Sequence, residues 1–192
     1  MWRPGFDSVE SYHARIFGFH RSFCVLSHVH RGTPEKPGLV FGLDRGGSCH
    51  GIAFRVAADR AEAVRDYLMA REQVTLVYRE SQLPVYLRDG RVVRALCFTV
   101  DHSHPQFAGK LAFADQVALI RQGFGQSGAN CDYLADTVAH LRGMGIADRG
   151  LQALHQAVSG HQAVSGHQAI SGSPGNVGKA RNAGGAGDPM SD

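Results

Sequence analysis

The sequence predicts a mixed domain: strands carry most of the first hundred residues, and helices most of the next fifty. Three observations support this reading. Short runs rich in β-branched and aromatic residues recur between Arg15 and Val100. Glycine and proline punctuation separates them, at Thr33–Gly38, at Asp44–Ser48 and at Asp89-Gly90. Apolar residues then repeat at helical spacing after Asp59, and again from Phe113 onward. A chain of 192 residues is long enough to bury a substantial core in one domain.

Taken in order, Met1–Asp7 reads as a turn around Pro4-Gly5. Arg15–Leu26 reads as one or two strands, with Phe17, Phe19, Phe23 and Val25 at odd positions and therefore on one face. Leu39–Leu43 and Ile52–Val56 are apolar runs flanking Asp44–Ser48, which predicts a hairpin whose glycines take the positive φ of a tight connection. Gly42 and Gly51, inside those runs, mark a bulge or a close approach to the backbone. Asp59 is placed to cap a helix running to about Arg71, with Ala61, Val64 and Leu68 forming its inward stripe. One turn on from Leu68 the same stripe reaches Glu72. Burial of that carboxyl would disfavour its charged form, which suits a group that takes and returns a proton.

Val74–Tyr78 reads as a strand. Val85–Arg88 and Arg91–Val100 form a hairpin across Asp89-Gly90, the clearest turn signal in the chain. Helices follow over Phe113–Gln122 and from Ser127 or Gly128 to about Gly143. In the second, Asn130, Leu134, Val138 and Leu141 share a face, so Asn130 points inward with Tyr133 beside it. A polar pair facing a core requires hydrogen-bond partners, from protein or ligand. From His155 the chain repeats HQAVSG, HQAVSG, HQAISG and then becomes rich in Gly, Ser, Asn and Ala. Six residues advance a helix by roughly 600°, so successive repeats share no face. The expectation is a disordered, low-complexity tail over 155–192, outside a domain spanning 1–154.

Composition narrows the function classes. The formal net charge is +3 and no dense Lys/Arg run is present, which argues against nucleic acid or an anionic membrane as partner. No apolar run approaches the roughly 18–20 residues of a membrane span. Cys24, Cys49, Cys97 and Cys131 are far apart, without a Cys-x-x-Cys, as in a cytoplasmic protein with reduced thiols. The phosphate-binding Gly-Lys-Ser/Thr and the Gly-x-Ser-x-Gly elbow are missing from the sequence. His28 with His30 and His102 with His104 form two pairs that nothing brings together, so no metal is expected. Gly123–Gly128 precedes a helix and is a candidate anion seat.

Several separated motifs add up to a resemblance. They are Ser22-Phe23-Cys24, Ser27 with His30–Pro34, Pro37-Gly38, Gly46–Cys49 with Gly51–Ala53, Arg71-Glu72, Tyr78, and Gly125 with Ser127–Leu134. Together they resemble the ChaC-type, glutathione-specific γ-glutamylcyclotransferases over Met1 to about Leu154. The resemblance implies an α+β fold, a small, partly closed β-barrel flanked by helices. It implies cleavage of glutathione to 5-oxoproline and cysteinylglycine by intramolecular cyclisation, with no metal or organic cofactor. Glu72 falls on the family's catalytic glutamate, and Arg31, Ser127, Asn130 and Tyr133 on its substrate-binding positions. A cytoplasmic monomer with glutathione as its partner follows, with neither nucleic acid nor membrane. The family opens with a strand ending in Tyr-Gly-Ser-Leu, whose loop cradles the γ-glutamyl group; Met1-Trp2 matches only the residues just after it. A barrel short of its first strand is therefore expected, and an inactive relative acting as a non-catalytic binding protein is the alternative reading.

Overall fold

The computed structural model describes residues 4–72 and 75–160. Its centre is an antiparallel pair of unusually long strands, β1 (Glu10–Ser27) and β2 (Gly38–Arg55). A turn of 3-10 helix, Ala58–Arg60, leads into α1 (Ala61–Glu72), and β3 (Tyr78–Leu87) and β4 (Val92–Val100) complete the sheet. The strand order is β2-β1-β3-β4. α2 (Phe113–Gln122), a two-residue hairpin β5 (Phe124–Gly125) and β6 (Gly128–Ala129), α3 (Asn130–Gly143) and α4 (Arg149–Gly160) follow. The outcome is an α+β domain with an antiparallel sheet flanked by helices.

The sheet curls without closing. β1 pairs with β3 only at Ala14↔Leu87 and Arg15↔Tyr86, after which the two strands part. Pro84, which has no N–H to give a ladder, sits on the part of β3 that has left β1. β2 and β4 meet without a ladder. Gly42 lies so close to Val100 that a Cβ would collide with its side chain, and Asp44 pairs with His102 at 2.5 Å. Between the curled strands and α1 lies a cavity of about 890 Å³, lined by Ile16, Leu43, Ile52, Leu68, Val85 and Cys97 among others.

The Asp44–Ser48 segment differs from the expected hairpin turn. β2 runs straight through it, and the register passes from Phe17↔Ser48 to Phe19↔Arg45, so that Gly46 and Gly47 oppose Gly18 alone. All three glycines have positive φ. They form a bulge that bends the ribbon, a conformation as dependent on glycine as a turn would be. A second shift at Cys24 breaks the expected alternation along β1. Phe17 is half exposed, while Phe23, Cys24 and Val25 are all buried. Gly42 makes the close approach its position suggested; Gly51 has open space around it. Asp59 lies within the 3-10 turn rather than capping α1, and the residue ahead of that turn, Ala57, offers no side-chain bond. The strand expected over Val74–Tyr78 lies partly outside the described residues; Val77 is buried and β3 begins at Tyr78. The Asp89-Gly90 turn and the span of α2 are as expected.

The helices build the larger core. Leu134, Val138 and Leu141 of α3 pack with Ile120 of α2, with Leu151, Leu154 and Val158 of α4, and with Phe23 and Leu39 of the ribbon. The expected tail boundary at Leu154 therefore moves. His155–Gly160, the first hexamer, forms the last turns of α4, and residues 161–192 lie outside the described residues. Val158 stands seven and four residues beyond Leu151 and Leu154, in phase with the buried face. Arg121 adds bonds to the carbonyls of Ala157 and Val158, at 2.5 and 3.3 Å. At the other end Asp148 caps α4 through the Leu151 N–H and pairs with Arg21 of β1.

Ending the chain after Leu154 removes Val158 and both carbonyl partners of Arg121, and should cost about 1.5–3 kcal/mol for the valine alone. Ending it after Gly160 keeps every one of these contacts. Thermal melts of the two truncations should differ by several degrees; coincident melting would show that the last turns of α4 do not support the core.

Candidate active site

The site is built where the loop after β1 meets the segment before α3. The contact is backbone against backbone. A Cβ on Gly32 or Gly38 would strike carbonyls of that loop, and one on Gly123 would lie 2.5 Å from the Arg31 oxygen and 2.7 Å from the Gly38 Cα. Gly125 is pressed in the same way against Val29 and His30. Four glycines are needed because no side chain fits between the two strands of backbone. The N–H groups of Gln126 and Ser127 donate to the carbonyls of Val29 and His30, both at 2.9 Å. The anion seat expected over Gly123–Gly128 is thus not formed by these two donors, since the chain itself has taken them.

Asn130 locks the junction. It is completely buried, its Oδ1 accepts from the Leu39 N–H at 2.6 Å and its Nδ2 donates to the Leu39 carbonyl at 2.9 Å. Its inward placement matches the expected α3 face, but its amide is committed to β2, not directed at open space. Ser127 stands at the exposed rim, 3.1 Å from His30 Nδ1. Arg31 is fixed by its own N–H to Ser27 Oγ and by its guanidinium to the Ala129 carbonyl, at 3.0 and 3.1 Å. That guanidinium lies 5.3 Å from the centre of the Tyr133 ring, a cation–π distance.

Two tyrosines converge on Phe41 of β2. Tyr78 donates its hydroxyl to the Phe41 carbonyl at 2.8 Å, and Tyr133 is hydrogen-bonded to the Phe41 backbone. Burial pushes the Tyr133 hydroxyl up to about 12, and burial likewise raises Tyr78 well above the ordinary phenol range. Both are protonated near neutral pH, as an ordinary phenol is, and the Tyr78 proton is already given to the Phe41 carbonyl. The negative charge of Glu72 also raises both, while Arg31 lowers Tyr133. Tyr133 thus lies within the field of a cation and an anion at once. Glu72 itself is partly buried at the end of α1, with its Oε1 3.0 Å from Arg71 Nε.

The structure thus gathers Glu72, Tyr133 and Arg31, puts Ser127 at the rim and sets Asn130 behind them as a fastener. Tyr78 is a site residue that the choice from sequence missed. It was legible only as one match within the resemblance, because nothing in a strand pattern shows where a tyrosine at the strand's first position will aim. The 890 Å³ cavity is a different place: Leu68 lines it, but Glu72, Tyr78 and Tyr133 do not. We give the converging polar groups more weight than the larger volume, because the cavity's lining is mostly apolar and its arginines are engaged at the rim. Among the described residues no group of three or more His, Cys, Asp or Glu is placed to hold a metal ion.

Known proteins resemble the chain in sequence and in fold. A family model described as ChaC-like protein matches residues 1–161, which includes the whole of α4. The chain is 32% identical over 154 residues to the glutathione-specific gamma-glutamylcyclotransferase of Escherichia coli K12, covering 80% of this chain and 67% of that one. It is 30% identical over 168 residues to glutathione-specific gamma-glutamylcyclotransferase 1 of Homo sapiens, covering 82% and 74%. Among solved structures, a yeast gamma-glutamyl cyclotransferase specific to glutathione superposes with a TM-score of 0.75 at 23% identity, over 84% of this chain and 94% of that one.

Asn130→Leu, which keeps the volume but leaves both Leu39 backbone groups buried and unpaired, should destabilise the domain by about 2–5 kcal/mol. Denaturant unfolding checks it. A loss below about 1 kcal/mol would mean that the Leu39 groups find other partners.

Proposed function

The chain belongs to the ChaC-like family, and from that premise we propose that it cleaves glutathione to 5-oxoproline and cysteinylglycine, with Glu72 carrying the proton. The observation that supports this most is that Tyr133 lies within reach of opposite charges, the Arg31 guanidinium over its ring and the Glu72 carboxylate. The head of a γ-glutamyl group is a zwitterion. Its α-carboxylate is complementary to Arg31 and its α-ammonium to Glu72.

The reaction is self-attack. Glu72 takes a proton from the α-ammonium, and the freed amine adds to the γ-carbonyl carbon to form the five-membered ring. The ring nitrogen gives up its second proton as the bond from that carbon to the cysteinyl nitrogen breaks. The departing nitrogen receives the two protons the α-nitrogen has lost, Glu72 carrying them in turn, and leaves as an ammonium. No water is consumed. Because the two reacting groups belong to one molecule, holding the glutamyl arm curled does most of the work, and such positioning is worth up to about 7–11 kcal/mol in favourable cases. The protonated hydroxyl of Tyr133 can donate to the oxygen that gains charge as the amine adds, a donor of a kind that typically contributes about 10²–10³ in rate, while Tyr78 keeps its proton on the Phe41 carbonyl. Ser127, at the rim with His30, is placed for the cysteinylglycine end of the substrate. Asn130 acts through Leu39, keeping β2 and its Phe41 backbone at the right depth. We place the reaction in the cytoplasm and the protein as a monomer, with no metal and no organic cofactor needed for these steps.

Glu72→Gln keeps the shape and removes the proton carrier. We expect 5-oxoproline release from glutathione to fall by at least about 10², with the melting temperature little changed. Turnover within a few-fold of the unaltered chain would remove Glu72 from the mechanism.

A further inference from the structure

Glu72 has an immediate neighbour whose geometry is not explained by the end of a helix. Consecutive residues on a helix point about 100° apart, so side chains at i and i+1 do not naturally face each other. Arg71 nevertheless reaches back across the end of α1 and places its Nε 3.0 Å from Glu72 Oε1. Three further contacts hold the guanidinium in that posture. Its Nη1 donates to the Pro4 carbonyl at 2.7 Å and to Tyr67 Oη at 3.1 Å, and it lies 5.5 Å from the centre of the Tyr67 ring.

The turn at Pro4-Gly5 completes the arrangement. Gly5 has φ +75°, and a Cβ there would collide with the Tyr67 hydroxyl and stand 3.3 Å from Arg71 Nη1. Glycine at this position lets the N-terminal backbone lie directly on the arginine and its tyrosine. Both members of the Arg71–Glu72 pair are mostly covered, with side chains 29% and 20% exposed. The bond goes to one carboxylate oxygen only; among the described residues Oε2 has no hydrogen-bond partner.

We infer that Arg71 is a positioning residue for Glu72, holding Oε1 so that Oε2 faces the substrate amine in one fixed orientation. The inference rests on the reading of Glu72 as the proton carrier. Neighbouring residues on a helix gain no such contact from helix geometry, so a covered guanidinium held by three other groups serves to orient the carboxylate. A carboxylate that swings freely meets the amine, and later the leaving nitrogen, in the correct geometry only part of the time. Misplacement by about 1 Å can cost about 10² in rate. A lysine keeps the charge but cannot make the same set of contacts, because its single ammonium lacks the planar fork.

The test uses the full chain and four variants: Arg71→Met, Arg71→Lys, Tyr67→Phe and Glu72→Gln. Four quantities are read: kcat and KM for 5-oxoproline release from glutathione, the melting temperature, and the NMR signal of the Arg71 Nε–H. We expect Arg71→Met to lower kcat by about 10- to 100-fold with KM within about threefold. Arg71→Lys should fail to restore kcat, and Tyr67→Phe should lower it less. The Arg71 Nε–H should give a sharp, slowly exchanging signal that disappears in Glu72→Gln, which reads the tie without turnover. Wild-type kcat in Arg71→Met, full rescue by lysine, or an Nε–H signal indifferent to Glu72→Gln would each overturn the inference. A kcat loss matched by a large drop in melting temperature would also overturn it, in favour of a merely structural arginine. Should Arg71→Met not fold, Tyr67→Phe and the Nε–H signal decide in the same way. If Glu72→Gln itself turns over normally, the reading of Glu72 falls and this inference with it. If Glu72→Gln is inactive while Arg71→Met is normal, only this inference falls.

Discussion

The rest of the molecule depends on one contact: the backbone of the loop after β1 lying directly on the backbone of the segment before α3. Four glycines allow the approach and one buried asparagine clips it, through two bonds to a single residue of β2. Without that approach the α2–α3–α4 layer would have no fixed position on the ribbon. With it, Leu39 and Phe23 enter the helical core and Phe41, two residues on from Leu39 and on the same face, packs against that core while its backbone receives Tyr78 and Tyr133. Alternation along a strand does the rest: what is clipped at Leu39 fixes the depth at Phe41.

That geometry explains how a site can be assembled from elements far apart in the chain. Arg31 comes from the loop, Tyr133 from α3, Tyr78 from the start of β3 and Glu72 from the end of α1. Phe41 is hydrogen-bonded to both tyrosines. Any slip of β2 relative to α3 would therefore move both hydroxyls at once and separate Arg31 from Glu72. The site has little tolerance for a flexible scaffold, which accounts for a fully buried amide at Asn130. An apolar residue there would pack, but it could not hold a backbone N–H and a carbonyl together.

How much of this the sequence disclosed depends on the kind of signal each residue carries. Periodicity gave α2 and the buried face of α3, because both are stripes of several residues. Asp89-Gly90 gave its turn because a two-residue connection leaves few other conformations. Asp44–Ser48 misled for a physical reason: paired glycines at positive φ serve a bulge as well as a turn, and only the pairing of β1 along the whole of β2 distinguishes them. The hexamers misled in the opposite way. Their repetition suggested a tail, yet one valine in phase with Leu151 and Leu154 was enough to extend α4 by a turn and a half. Glu72, Arg31, Ser127, Asn130 and Tyr133 came from the resemblance more than from any pattern. What no pattern disclosed is the division among them, with Asn130 committed to the scaffold and Tyr78 joining the site.

The charge arrangement gives the final step. A site that must curl a γ-glutamyl arm has to hold both ends of its amino-acid head while leaving the γ-carbonyl within reach of the amine. Arg31 and Glu72, both within reach of Tyr133, satisfy the first demand, and its protonated hydroxyl serves the second without adding charge. A deprotonated phenol beside Glu72 would repel the developing oxyanion and compete with the carboxylate for the ammonium. An ordinary phenol is already protonated near neutral pH, and burial carries Tyr133 further still from the phenolate. The clip at Leu39 that fixes the fold also sets the depth of Phe41, and with it the place at which both hydroxyls meet β2.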